Sequence, residues 1–428
     1  MELTVYRVSR FITAFALCLL AGTLIAQIWA NLAPESYHDL VELRLFDRFP
    51  IGYADPNETG LMNRTLTLEY LVNNLLMALF FLLVGKELWE ALVQRPGPLR
   101  GANAVVPLAA ALGGMLVPVA LYLAIATTTR HAERVDLMAG WAVPVASDLV
   151  LAYVVGRLVF GRRHPALKLL MLVAILSEMV GLSSLILFQP LRQALWLLLP
   201  VLAPLLAWGL FNHLPRRAAA NGQRLLAARF VRISRALGPL PWLLAGAVSW
   251  FGMQQAGLHP ALGLLTVIPA VPRADRSYGF FAEAEEYLND PLNRFAHLMV
   301  VPVAVGLFLY GLINGGAELA AFAPATTVTF FALLVGKPFG VVIGGLLAAR
   351  LTGLGLPDGI TTRDLLLLGI VAGCGFTVPY LVANAALPGG AAAEAAKLGI
   401  VASLVVAPAA FALARFAGVG RWANGPIT

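Results

Sequence analysis

Charged residues are scarce in this chain. They make up 12% of the 428 residues, whereas hydrophobic residues make up 59% and the mean hydropathy is +0.80. An average soluble domain is about one-quarter charged. A soluble fold always leaves a large polar shell facing water, so it does not hide this much apolar surface. The scarcity of charge therefore excludes an ordinary soluble domain and favours a protein that is solvated by lipid.

Cysteine is nearly absent too, and so are the sequence signatures of catalysis. Cys18 and Cys374 both lie in apolar segments, which argues against a disulfide framework and a cysteine-based metal site. The chain has no glycine-rich phosphate loop, no nucleophile elbow and no His/Cys ligand cluster. We therefore expect neither an enzyme nor a resident cofactor. The formal net charge of +7 is spread over short loops, so nucleic acid is not an expected partner.

What the chain does contain is a series of apolar segments of about 18 to 25 residues, the length of a helix that crosses roughly 30 Å of hydrocarbon. Charged residues and Pro/Gly clusters mark the loops between twelve predicted spans. The spans cover residues 11–31, 70–92, 103–126, 138–159, 166–188, 193–211, 228–253, 259–272, 295–314, 325–349, 364–387 and 397–415. We expect the first span to be retained rather than cleaved as a signal peptide, because it is long and no small-x-small site follows it.

The distribution of basic residues predicts the orientation. An even number of spans places both termini on one side of the membrane, and loops rich in Lys and Arg face the cytoplasm. The loops after spans four and six are the most basic. They contain Arg157, Arg162, Arg163, Lys168, Arg216, Arg217, Arg224, Arg229, Arg232 and Arg235. The sequence therefore predicts an all-α multi-pass protein of the bacterial inner membrane, surrounded by lipid, with both termini cytoplasmic.

The long external loop, at about residues 38–69, has a different pattern. The stretches VELRLFDRF and RTLTLEY alternate apolar and polar residues on either side of IGYADPNETG. Alternation interrupted by turn residues predicts a short β-hairpin on the outer face. The exposed edge of such a hairpin can pair with a second copy of the chain. An irregular loop is the alternative.

Three ionisable residues lie inside predicted spans, where each costs about 2.5–3.5 kcal/mol and is a functional candidate by default. Asp148 follows Ser147 in span four, shortly after Pro144, which removes a backbone donor and favours a break in the helix. Glu178 lies near the middle of span five, and Lys337 lies near the middle of span ten.

Span eleven carries no charge but contains a second candidate break. Its segment GIVAGCGFTVPYLVA surrounds Thr377 with Gly369, Gly373, Gly375 and Pro379. Two interrupted spans in corresponding positions indicate an inverted repeat with a binding site at the membrane midplane. We predict that spans three to five form one repeat, that spans ten to twelve form the other, and that the broken spans four and eleven cross between them.

Two broken helices that cross bring helix ends of opposite partial charge into a region of low dielectric. Asp148 could offset the positive ends and Lys337 the negative ends, which leaves Glu178 as a free carboxylate able to bind a cation. Burial favours the neutral form of a carboxyl group, and a nearby cation favours the charged form. Competition between a proton and a cation for Glu178, combined with alternating access, is antiport.

Hydroxyl groups beside these charges complete the candidate cation site. Ser147 and Ser177 each precede one of the two carboxylates, and Thr377 lies at the second break. Neutral oxygen atoms suit a hard cation. The alternative is purely structural: the carboxylates hydrogen-bond to neighbouring helices, and the lysine pairs with one of them to hold helices together.

Six motifs follow one another along nearly the whole chain. They are MALFFLLVGKEL, VPVASD, AGLHPALGLLTVIPAVP, VVPVAVGLFLYGLINGG, LLVGKPFG and GCGFTVPYLVA. In this order they resemble the NhaA-type sodium/proton antiporters. The resemblance aligns Glu87 with the family's acidic residue at the cytoplasmic funnel, and Ser147 and Asp148 with the Thr-Asp pair of its fourth span. His259 matches the family's histidine and Lys337 its tenth-span lysine. Gly375, Phe376 and Thr377 match its broken eleventh span.

The resemblance implies a core domain that moves against an interface domain to alternate access, with activity that rises with pH and dimerisation through the external hairpin. The implied division is 1–102 interface, 103–190 first core repeat, 191–258 linking spans, 259–322 interface and 323–428 second core repeat. Glu87 and His259 are candidates for pH sensing or for lining the funnel. A solvated helix end is the alternative for Glu87, and capping or packing is the alternative for His259.

The chain departs from the family at the centre of the site. The family has two adjacent aspartates in span five, where this chain has Ser177 and Glu178. One negative charge and one proton carrier are therefore missing. If Lys337 pairs with Glu178, Na⁺ would bind poorly. If the lysine is neutral when the cation binds, exchange would proceed with fewer protons per ion. If neither holds, the same fold would carry another solute.

The sequence thus predicts a secondary transporter that exchanges protons for a monovalent cation, Na⁺ or Li⁺ above others. Two alternatives remain. The first is a transporter of an organic anion, because Lys337 beside a half-helix N-terminus would suit an anionic group. The second is an uncoupled ion pathway or a sensor.

Overall fold

A computed structural model describes residues 10–54, 63–93, 104–129, 131–272, 281, 291–387 and 390–419. Its helices are α1 (Phe11–Leu32), α2 (Pro34–Val41), α3 (Leu68–Val93), α4 (Val105–Thr127), α5 (His131–Ala139), α6 (Leu149–Phe160), α7 (Pro165–Phe188), α8 (Ala194–Ala220), α9 (Arg224–Leu237), α10 (Leu240–Ala256), α11 (Ala261–Leu265), α12 (Pro291–Asn314), α13 (Pro324–Thr352), α14 (Thr362–Ala372), α15 (Thr377–Ala386) and α16 (Ala391–Phe416). The strands are β1 (Arg44–Phe49), β2 (Tyr53–Ala54) and β3 (Arg64–Thr67).

The helices of the described residues give ten candidates for the twelve predicted spans. Within the described residues, eight helices are long and apolar enough to cross a membrane: α1, α3, α4, α7, α8, α12, α13 and α16. Two further candidates are bent pairs, and they coincide with the predicted broken spans four and eleven. The predicted spans seven and eight correspond to α10 and to the short apolar helix Ala261–Ala270. The prediction of a polytopic α-helical membrane protein with two broken helices is confirmed.

The predicted seventh span begins too early. Residues 224–237 form a separate helix, α9, which carries the exposed Arg229 and Arg232 on one face. Such a basic face does not enter hydrocarbon. Gly238 then adopts a left-handed conformation (φ 54°), and Pro239 precedes the first residue of α10. These two residues end one helix and start the next.

Close backbone packing joins α4 to α13. A Cβ atom on Gly113 would lie 2.1 Å from the carbonyl oxygen of Gly340, and one on Gly344 would lie 2.1 Å from that of Ala109. Only glycine permits this approach, which is the usual way in which membrane helices pack tightly. The two helices belong to the two predicted repeats, so this seam holds the repeats together around the crossing. The five-part domain division itself stays a prediction.

The external loop forms a three-stranded antiparallel sheet in the order β1-β3-β2 rather than a simple hairpin. The two predicted strand stretches, 41–49 and 64–70, contain β1 and β3 but extend too far, since Val41 and residues 68–70 are helical. Residues 55–60 of the predicted turn lie outside the described residues. Gly52 (φ 139°) makes the bend between β1 and β2, where a Cβ atom would lie 2.2 Å from the oxygen of Thr65. The side chain of Gln254, near the end of α10, donates to the oxygen of Pro50 at 2.9 Å and anchors the sheet.

Candidate functional site

The first break lies between α5 and α6, whose axes are bent by 53°. A 3₁₀ turn, Gly140–Val145, continues α5 and contains Pro144. Asp148 then has extended backbone angles and is the N-cap of α6, with its Oδ1 atom 2.9 Å from the N–H of Leu151. An aspartate here satisfies a free helix N–H and complements the positive end of the helix dipole.

The second break lies between α14 and α15, bent by 54°, and the two breaks bind each other directly. The N–H of Asp148 donates to the oxygen of Cys374 at 2.9 Å, and the N–H of Thr377 donates to Oδ2 of Asp148 at 3.2 Å. Asp148 therefore accepts hydrogen bonds at the starts of both α6 and α15. This is the midplane crossing that the sequence predicts, and Asp148 is in the predicted position beside the positive helix ends.

Glu178 reaches the crossing from α7 and is hydrogen-bonded on both oxygens. Oε2 accepts from the N–H of Leu149 at 3.2 Å, and Oε1 accepts from the hydroxyl of Thr377 at 3.0 Å. The expectation of a free carboxylate is therefore wrong for this conformation. The reason is geometric: α6 and α15 each begin with unsatisfied donors, and Glu178 is the nearest acceptor in a dry environment.

Lys337 lies at the negative helix end, as predicted. Its ammonium donates to the oxygen of Val145 at 2.9 Å and to the hydroxyl of Ser147 at 2.8 Å. Val145 is the last residue of the turn that continues α5, so the ammonium satisfies a carbonyl that has no helical partner. Among the described residues, no carboxylate lies within ion-pair distance of Lys337, so the conditional pairing with Glu178 is not formed here.

Glycines position Lys337. A Cβ atom on Gly369 of α14 would lie 2.6 Å from the Cα atom of Pro338, and one on Gly373 would lie 2.7 Å from the oxygen of Leu333. The α14 backbone therefore lies directly against α13 on both sides of the lysine. A π-helical turn, Ala332–Gly336, immediately precedes it. Such turns within α-helices occur frequently at functional sites.

The crossing is closed to solvent in this conformation. Ser147, Asp148, Glu178 and Thr377 have no exposed surface, and Lys337 is 1% exposed. Two carboxylates and one ammonium in this volume carry one net negative charge when all three are ionised. A buried net charge is expensive unless it is paired. A bound proton or a bound monovalent cation would restore neutrality, and the carboxylate and hydroxyl oxygens of Asp148, Glu178 and Thr377 suit a hard cation.

The predicted serines play unequal parts. The Ser147 hydroxyl is engaged by Lys337, whereas the Ser177 hydroxyl donates to the oxygen of Ala174, one turn earlier in its own helix, at 3.1 Å. This bond uses the proton of the Ser177 hydroxyl and leaves its oxygen lone pairs, so a role for Ser177 as a cation ligand stays a prediction. Gly181 lies against Ala146 in the first break, at a hypothetical Cβ–Cβ distance of 2.6 Å, and lets α7 approach closely.

Glu87 and His259 do not share a site. Glu87 is 4% exposed and accepts from Lys86 at 3.1 Å and from the N–H of Phe281 at 2.7 Å, so it is not a solvated helix end. His259 follows α10 at the end that anchors the sheet, and its Nδ1 atom lies 3.4 Å from the N–H of Ala261 at the start of α11. The sheet adjoins the beginning of α3, about 28 Å along that helix from Glu87. The capping alternative describes His259 better.

Sequence reasoning missed three contributors to the crossing. Tyr310 of α12 donates its hydroxyl to the oxygen of Thr377 at 2.7 Å. The hydroxyl of Ser403 lies 3.3 Å from the N–H and 3.2 Å from the oxygen of Gly375. The carbonyl of Cys374 accepts from Asp148. The hydroxyls of Tyr310 and Ser403 inside apolar spans are signals that the sequence offers, whereas the contact of the Cys374 carbonyl depends on backbone geometry alone.

The chain is similar to known membrane transporters along nearly its whole length. The family model described as Na⁺/H⁺ antiporter 1 matches residues 7–414. The chain is 44% identical over 400 residues to the Na(+)/H(+) antiporter NhaA of Jannaschia sp. (strain CCS1), which covers 93% of this chain and 95% of the relative. It is 36% identical over 397 residues to Na(+)/H(+) antiporter NhaA 2 of Pelobacter propionicus, covering 92% and 93%. It is 35% identical over 412 residues to the Na(+)/H(+) antiporter NhaA of Geotalea uraniireducens, covering 95% and 96%.

Proposed function

Because the chain belongs to the Na⁺/H⁺ antiporter 1 family, we propose that it exchanges Na⁺ for H⁺ across the bacterial inner membrane through the crossing of its two broken helices. The observation that carries this assignment to particular residues is the position of Glu178. Its carboxylate bridges the start of α6 and the hydroxyl of Thr377, 3.0 Å away, in a volume closed to solvent. Asp148 lies beside it with the same two half-helices as partners.

In the proposed cycle, H⁺ and Na⁺ occupy this site in turn. A proton on one carboxylate balances the site when no cation is present. Sodium would take the place of that proton and bind oxygens of Glu178, Asp148 and Thr377, which the structure holds within one hydrogen-bonded cluster. Neither form leaves a net charge buried, so both can pass through the closed state. The empty, fully ionised site would be trapped on one side, and this coupling prevents a leak.

The same balance of charges predicts the stoichiometry. The site contains two carboxylates and one ammonium, so a single proton exchanges for a single cation while Lys337 keeps its proton and its bond to Val145. Exchange of one for one moves no net charge. The sequence predicts such a low ratio for a neutral lysine, whereas here it follows with Lys337 charged, because Ser177 takes the place of one of the family's two span-five aspartates and only two carboxylates remain.

Proteoliposomes with an imposed pH gradient test the function. Addition of Na⁺ or Li⁺ is expected to dissipate the gradient, and K⁺ is expected to have a smaller effect. Clamping the membrane potential with valinomycin and K⁺ separates the two parts of the proposal. A rate that does not change with potential supports one-for-one exchange, whereas a strong dependence contradicts that ratio but not the exchange. Folded protein that responds to no cation between about pH 6 and 9 contradicts the exchange itself.

The organic-anion alternative receives little support from the geometry. It requires Lys337 beside a half-helix N-terminus, but the ammonium lies at the C-terminal end of the preceding turn, on the oxygen of Val145. The two N-termini are already occupied by the carboxylates of Asp148 and Glu178. An anion would have to displace both, against charge repulsion.

We further propose a homodimer through strand β1, with both termini in the cytoplasm. The strand is an edge of the sheet, and Leu45 and Phe46 on it are 37% and 60% exposed. Unpaired edges with exposed apolar side chains favour pairing with another chain. Sedimentation of the detergent-solubilised protein tests the dimer: Phe46→Asp is expected to yield monomers, and a variant that stays dimeric contradicts the interface.

A further inference from the structure

Tyr310 comes to the crossing from outside the two predicted repeats. It lies on α12, which packs mainly along α1 and α3. Its hydroxyl donates to the carbonyl oxygen of Thr377 at 2.7 Å, and both residues are fully buried. Its ring packs edge-on against Phe376, with centroids 6.2 Å apart. Tyr310 thus ties the first residue of α15 to a helix of the other part of the molecule.

Thr377 is held at every polar atom by this arrangement. Its N–H binds Asp148, its hydroxyl binds Glu178 and its carbonyl binds Tyr310. The first two contacts set the orientation of the proposed cation ligands. Displacement of the Thr377 carbonyl would rotate the peptide and side chain that make them. The tyrosine hydroxyl therefore acts on the site through Thr377.

Tyr310 is itself firmly positioned. Asn314, one turn later on α12, donates to the backbone carbonyl oxygen of Tyr310 at 3.1 Å. Its side-chain amide also exchanges two hydrogen bonds with that of Asn73 on α3, at 2.7 and 3.2 Å. Asn73 lies in the π-helical turn Leu71–Leu76. A buried, reciprocally bonded amide pair fixes the relative position of two helices. It holds the hydroxyl as part of the α3–α12 unit.

We propose that Tyr310 is a positioning residue for ion exchange: its hydroxyl fixes Thr377 in the closed state and is released when the crossing moves relative to α12. The proposal rests on the proposed function for its role in transport, but the contact itself is tested without transport. One ordinary hydrogen bond corresponds to a shift of about fivefold in the equilibrium between closed and open arrangements.

Cys374 is a native reporter of this equilibrium. It lies three residues before Thr377 within the second break and is 1% exposed. In a Cys18→Ala background, the purified protein would be labelled with a small neutral maleimide and the rate at Cys374 measured. Tyr310→Phe, which removes only the hydroxyl, is expected to raise this rate about fivefold. The same variant in proteoliposomes is expected to raise the KM for Na⁺ several-fold with little loss of kcat.

Tyr380→Phe is the matched control. Its ring lies in the same aromatic group, with its centroid 6.3 Å from that of Tyr310, and none of the hydrogen bonds among the described residues involves its hydroxyl. An unchanged labelling rate in Tyr310→Phe, or an equal increase in both variants, overturns the proposal. If Tyr310→Phe does not fold, as judged by its unfolding temperature, Tyr310→Met carries the same expectation. If Tyr310→Phe speeds the labelling of Cys374 and Tyr380→Phe does not, but no variant responds to Na⁺, the contact is established and the proposed function is contradicted.

Discussion

Asp148 and Thr377, which lie 229 positions apart in the chain, are joined by a hydrogen bond of 3.2 Å from the N–H of Thr377 to Oδ2 of Asp148. Each residue stands at the start of a half-helix, so one carboxylate complements two helix dipoles. The bond makes the two broken spans a single unit. A change of protonation or of bound cation at this carboxylate is therefore felt by both half-helices at once.

Replacement of Glu178 by Gln is expected to reduce Na⁺-driven dissipation of a pH gradient to background, a loss of at least about tenfold. The amide oxygen can accept from Thr377, but its NH₂ group then faces the N–H of Leu149, so the unfolding temperature should fall and activity has to be compared per folded molecule. The amide neither releases a proton nor carries the charge that binds a cation. Glu35→Gln removes an exposed carboxylate on α2 and is expected to transport normally. Retention of Na⁺-coupled exchange by Glu178→Gln would contradict the assignment of the shared site.

Asp148→Asn separates the capping role from the charge. An amide has one acceptor oxygen, so it satisfies Leu151 or Thr377 but not both, and its NH₂ group then faces a donor. We expect transport to fall to background and the unfolding temperature to fall. Thr361→Ala removes the N-cap of α14 and costs about 1 kcal/mol, but it lies away from the crossing. It should therefore be destabilised yet active per folded molecule, and equal losses of activity in the two variants would count against a special role for Asp148.

Lys337→Met is expected to destabilise the protein by about 1–3 kcal/mol, because it leaves the buried carbonyl of Val145 without a donor. It also removes the ammonium that balances one carboxylate, so Na⁺ exchange should weaken. Lys168→Met, at an exposed position near the start of α7, is the control and should change neither property. Thermal unfolding in detergent, monitored by tryptophan fluorescence, gives the comparison. A Lys337→Met variant as stable as the parent would show that the lysine's hydrogen bonds are dispensable.

Gly113→Ala tests the seam between α4 and α13. The new Cβ atom would lie 2.1 Å from a backbone oxygen that no rotamer change can move, so we expect a loss of about 1–3 kcal/mol or more. Gly209→Ala places the same methyl group in open space within α8 and should be neutral or stabilise by up to about 1 kcal/mol. The two unfolding temperatures, measured side by side, decide whether close approach or merely the loss of glycine matters.

Much of this arrangement follows from local sequence. Charges in apolar segments identified Asp148, Glu178 and Lys337, and Pro144 with the glycines around Thr377 identified the two breaks. These residues stand out because an ionisable or helix-breaking residue is costly in lipid, so its presence inside a span indicates a functional or structural role.

What the sequence does not contain is the pairing of backbone groups across the crossing. Glu178 was expected to be free because the N–H of Leu149 leaves no trace in the side-chain pattern. The bond from the Ser177 hydroxyl to the oxygen of Ala174 is likewise invisible in the sequence, because the side-chain rotamer depends on how α7 packs. The seventh predicted span includes most of α9, because hydropathy alone does not mark where an amphipathic helix ends and the adjoining apolar helix begins.

The glycine seam between α4 and α13 has a consequence for energy conversion. An exchanger wastes the gradient whenever water slips past its moving parts. Where the backbones of Gly113 and Gly340 touch, no file of water molecules fits between the two helices. At this contact the two helices therefore leave no path for a proton to cross on a chain of water molecules.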